Sequence, residues 1–80
     1  MALGSPTKRS VTIAGHETSI SLEPLFWQAL ERAAQQEGLP VNALIARIDV
    51  ERLDAHARAP NLTSAIRQWL YIRESERGRT

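Results

Sequence analysis

The chain has 80 residues, 42% of them apolar and 24% charged, with no cysteine and a net charge of +1. That length holds one small domain, and the composition is that of a globular chain rather than a disordered one. The missing thiols exclude disulfide staples, thiolate catalysis and the usual cysteine zinc sites.

No apolar run exceeds four residues, so no membrane partner is expected. The N-terminus shows no basic cluster leading into an apolar stretch, so a cytoplasmic protein is expected. Charge is uneven along the chain. Residues 1–16 carry +2, 17–38 carry −3, 39–59 balance, and 60–80 carry +2. Such a chain could present a nucleic-acid footprint if its two basic ends converge in space.

Residues 1–8 hold Gly4, Ser5 and Pro6 and no apolar period, and read as a flexible arm before a single domain over residues 9–77 and a short tail at 78–80. From Arg9 to Leu22 the pattern has period two, with Val11, Ile13, Ile20 and Leu22 on one face. Gly15 and His16 between the halves suit a two-residue turn with glycine at the position of positive φ. A loop of those two residues sets Ile13 opposite Thr18, Val11 opposite Ile20 and Arg9 opposite Leu22. The outer strand then runs from Arg9 to Ala14. One face collects Val11, Ile13, Thr18, Ile20 and Leu22, and the other Ser10, Thr12, Ala14, Glu17, Ser19 and Ser21.

Pro24 is a favoured first helical residue, and Glu23 before it is a candidate cap and dipole partner. Phe26, Leu30, Ala33 and Ala34 follow at helical spacing, and Gly38 with Leu39 closes the helix. Pro40 opens a second helix with Val41, Leu44, Ile45 and Ile48 as its stripe, running to about Leu53 or Asp54. After a connector from His56 to Pro60, Asn61 or Thr63 caps a third helix. Its stripe is Leu62, Ala65, Ile66, Trp69, Leu70 and Arg73, and it fades near Arg77. Trp27, one step off the first stripe, is either a packing residue or a partner-facing aromatic. Trp69 and Tyr71 project from different faces of the last helix.

One strand and two helices over Glu17 to Asp54 bury too little apolar surface to offset their ordering, and they leave a strand edge unpaired. A second copy answers both needs. A homodimer is therefore expected, with Ile20, Leu22, Phe26, Leu30, Leu44, Ile45 and Ile48 as its core.

Strand, helix, glycine turn and helix in this order resemble the ribbon-helix-helix superfamily of small dimeric DNA-binding regulators. The matching residues are Thr18-Ser19-Ile20-Ser21-Leu22, the stretch from Glu23 to Leu30, Glu37-Gly38-Leu39, and Val41-Asn42-Ala43-Leu44-Ile45. The string from Lys8 to His16 and the segment Asn61 to Arg67 are similar to a bacterial subgroup with an extra N-terminal strand. The resemblance covers roughly residues 8–72. It implies a mainly α fold with a small antiparallel ribbon, a homodimer with an N-terminal hairpin and three helices per chain. It also implies a transcriptional regulator bound to double-stranded DNA. The base-facing positions would be Glu17, Ser19 and Ser21. Phosphate would be held by the amides near Val41 and Asn42 at a helix N-terminus, with Lys8 and Arg9 at the sheet margin.

Two departures keep a second reading open. Glu17 stands where a cation or amide is expected, and a carboxylate is repelled by phosphate. A dimer with four strands at about 4.8 Å spacing also exceeds a major groove about 12 Å wide. The alternative is a dimeric adaptor that keeps the fold and binds a protein through its sheet or third helix. No triad spacing and no glycine-rich phosphate loop occur, so neither an enzyme nor a cofactor is expected. His16 and His56 lack partner ligands, so no metal is expected either.

Overall fold

The computed structural model describes residues 3–54 and 60–77. The chain runs β1 (Thr7–Ile13), β2 (His16–Leu22), α1 (Pro24–Glu37), α2 (Val41–Asp54) and α3 (Leu62–Arg77). The two strands form one antiparallel hairpin; α2 and α3 pack on it, and α1 packs on α2 and α3. His56 and the tail at 78–80 lie outside the described residues.

The hairpin register corrects the sequence expectation. Ile13 faces His16, Val11 faces Thr18, Arg9 faces Ile20 and Thr7 faces Leu22. The turn residues are therefore Ala14 and Gly15, both with positive φ (50° and 82°), rather than Gly15 and His16. Moving the pairing by two residues leaves side-chain parity intact, so both faces keep the residues expected of them except Ala14, which passes from the strand into the turn. The shift lengthens the outer strand back to Thr7, into the stretch expected as a loose arm, and brings Thr7 level with Leu22. There its carbonyl accepts a hydrogen bond from the Trp27 indole N–H at 2.8 Å. In the expected register Thr7 would have faced Pro24, which has no N–H for a ladder. The cost is one non-glycine residue, Ala14, in the left-handed region.

α1 starts on Pro24 and ends on a glycine motif. Gly38 has φ 69°, its N–H donates to Gln35 O, and the Leu39 N–H donates to Ala34 O. Glu23 precedes the helix, but its side chain makes no cap bond. Its carboxylate turns to Arg67 of α3 instead, at 2.9 Å. α3 is capped by Asn61, whose Oδ1 accepts the Ser64 N–H at 2.8 Å.

Among the described residues the core holds fourteen buried side chains, of which Val11 and Ile13 come from β1 and Ala65, Ile66 and Leu70 from α3. These five close the core within one chain. The shortfall counted over Glu17 to Asp54 left them out, so core closure does not by itself call for a second copy. Ile20, Leu22, Leu30, Leu44, Ile45 and Ile48 are all buried inside the single chain. Phe26, expected in the dimer core with them, is half-buried in the single chain, and Trp27 is buried at 1% exposure. The buried stripe of α1 is Trp27, Leu30, Ala33 and Ala34. Both stripes satisfy helical periodicity. The way α1 seats on the hairpin selects the one that gives the indole its acceptor.

Candidate nucleic-acid interface

β1 and β2 present a wholly polar outer face because their side chains alternate. Across it Lys8 pairs with Ser21, Ser10 with Ser19, and Thr12 with Glu17. All six are exposed. Glu17, Ser19 and Ser21 thus share one surface with Lys8, and the edge of β2 away from β1 has no strand against it among the described residues. Glu17 is not free on this face, since the Ser10 hydroxyl donates to its carboxylate at 2.6 Å.

Arg9 sits on the other face. Its guanidinium lies 4.5 Å from the Trp27 ring centroid and pairs with Glu31 of α1 at 3.4 Å. Lys8 and Arg9, neighbours in sequence, are therefore separated by the sheet, as strand geometry requires of consecutive residues.

At the start of α2 the first intrahelical bond runs from Leu44 N–H to Pro40 O. The amides of Val41, Asn42 and Ala43 precede it and belong to the first turn, whose N–H groups have no intrahelical acceptor. That turn contains no acidic residue, so the positive end of the helix dipole is not offset locally. Asn42 is exposed and Val41 half-buried.

Two carboxylates tie helices to one another, and sequence reading assigned neither pairing. Glu23 is held below the ordinary carboxylate value by its own backbone N–H and by Arg67. Glu37 is lowered by hydrogen bonds from Arg47 and Arg73, at 3.1 and 3.0 Å. Arg67 and Arg73 lie six residues apart on α3, and nothing in that spacing names partners more than thirty residues away.

Among the described residues no group of three His, Asp or Glu side chains could hold a metal ion. No described helix is long and apolar enough to cross a membrane. Neither the curated proteins nor the solved structures contain a match to this chain. A family described as "Ribbon-helix-helix domain" matches residues 6–73, which spans the hairpin and all but the end of α3. The protein is a member of the ribbon-helix-helix domain family.

Proposed function

We propose that the protein is a DNA-binding transcriptional regulator of bacterial type that acts as a homodimer. The observation that carries this reading is the outer face of the hairpin, polar at every position and free of packing, in a chain of the ribbon-helix-helix family. Two copies would pair through the open edges of β2, with Ser19 and Ser21 of both copies on the two central strands that enter the groove once β1 of each copy peels aside. Hydroxyls at those positions can donate to or accept from base edges. Lys8 and the first-turn amides of α2 would hold phosphate, which positions the protein without reading sequence.

A second reading, a dimeric adaptor, draws on Glu17. Its carboxylate already has Ser10 as a partner and would carry negative charge toward phosphate. The experiment measures duplex affinity across salt concentrations, with sedimentation equilibrium giving the oligomer state. If the hairpin meets DNA, Glu17→Arg tightens binding and adds about two units of log–log salt slope per dimer. Lys8→Ala weakens binding to all sequences alike. A wild-type protein without measurable duplex affinity at low salt, or one that sediments as a monomer, overturns the regulator reading.

A further inference from the structure

We infer that the first half of β1, residues 7–10, is a releasable strap that gates the DNA-binding ribbon, with Trp27 as its latch. The inference rests on the proposed reading of the hairpin as the element that meets duplex DNA. In that reading β2 pairs with β2 of a second copy, and β1 flanks each central strand. Four strands at about 4.8 Å spacing exceed a major groove about 12 Å wide, so the outer strands must yield for insertion.

The burial of β1 marks where it can yield. Residues 7–10 are all exposed, whereas Val11 and Ile13 sit in the core at 4% and 9% exposure. The exposed stretch lies alongside residues 19–22, through the opposed pairs Lys8–Ser21 and Ser10–Ser19. The half of β1 that flanks the base-facing hydroxyls is thus the half without a buried side chain. Val11 and Ile13 anchor the other half, so the core stays closed when the strap leaves.

Besides its ladder with β2, the strap is held by a cluster on α1. The Trp27 indole N–H donates to the Thr7 carbonyl at 2.8 Å, and the Arg9 guanidinium lies 4.5 Å from the ring centroid. Arg9 also pairs with Glu31 at 3.4 Å, where both side chains are about half exposed and water readily replaces the pairing. The Ser10 hydroxyl adds one bond to Glu17 across the outer face. Release exchanges the partners of Arg9. It leaves Glu31 and the indole and, with Lys8, reaches phosphate beside the ribbon, which offsets the lost latch. Arg9 thereby gains the phosphate contact that the closed hairpin denies it by holding it on the inner face. Duplex DNA selects the open strap, and the latch lowers apparent affinity by the fraction of molecules that are open.

The test uses the full chain, whose lack of cysteine allows one engineered disulfide. Ser10→Cys with Ser19→Cys replaces a directly opposed pair, and oxidation stitches the strap shut. The oxidised protein should bind duplex at least tenfold more weakly than the same protein reduced, with sedimentation giving the same oligomer for both. Trp27→Phe removes the donor without changing charge and, below its unfolding transition, should bind duplex several-fold more tightly than wild type. Hydrogen exchange over residues 7–10 should quicken on duplex while Val11 and Ile13 stay protected. Equal affinity of the oxidised and reduced forms overturns the inference and leaves the DNA reading standing. So does Trp27→Phe binding no tighter than wild type, slower strap exchange on duplex, or an oligomer that changes with oxidation. If no form binds duplex at low salt, the DNA reading falls and the strap falls with it.

Discussion

The indole N–H of Trp27 donates to the carbonyl oxygen of Thr7 at 2.8 Å, tying the first helix to the first residue of the outer strand. The ring is 1% exposed, and Arg9, two residues along the same strand, covers it with a guanidinium. One side chain thus fills the core, meets its own hydrogen-bond demand and fixes where the hairpin begins. Buried indoles ordinarily need such an acceptor.

Trp27→Phe removes the donor and leaves the Thr7 carbonyl to find water at a frayed strand end. The loss of one hydrogen bond and part of a ring should cost about 1–3 kcal/mol in a denaturant titration. Amide exchange should rise first in β1. An unchanged midpoint would mean that the contact contributes nothing to holding the strand.

The turn makes a prediction with opposite signs at adjacent positions. Ala14 has φ 50°, a region that costs an L-residue about 1–2 kcal/mol, partly offset by the greater unfolded-state entropy of glycine. Ala14→Gly should therefore stabilise the protein by about 0.5–1 kcal/mol. Gly15→Val at φ 82° should destabilise it and release the amides of Val11 and Ile13, although a Cβ there meets no atom within 4 Å. The penalty is purely conformational. Both are read from denaturation midpoints and exchange rates.

The paired carboxylates set an acid limit. Glu23 and Glu37 titrate below their ordinary value of 4.5, so their contribution to stability is fully present above that pH and is lost as pH falls through the lowered values. The melting temperature should drop below about pH 4.5 in wild type, with a shallower acid slope in Glu37→Gln. Arg47 and Arg73 both reach Glu37, so its replacement should also loosen α2 and α3 against the end of α1. High salt should narrow the difference between the two proteins, since these groups are partly exposed.

The sequence by itself determined the elements, the two hairpin faces and the glycine closure of α1. Those follow from local chemistry: period-two alternation, Pro24 at a helix start, Gly38 where a positive φ is needed, and Asn61 or Thr63 as a cap, of which Asn61 is the one used. It also determined the stripes of α2 and α3, because Leu44, Ile45 and Ile48, and Ala65, Ile66 and Leu70, each have one face that buries them. The tertiary structure alone decided the hairpin register, since a two-residue shift preserves parity and is invisible to any count of faces. It decided which aromatic of α1 turns inward, a choice between Phe26 and Trp27 that rests on an acceptor twenty residues away. It also separated Lys8 from Arg9 and tied Glu23 to Arg67. Local pattern specifies which residues share a surface, whereas the partner of each surface depends on how the elements dock, and docking energy resides in contacts that sequence spacing does not encode.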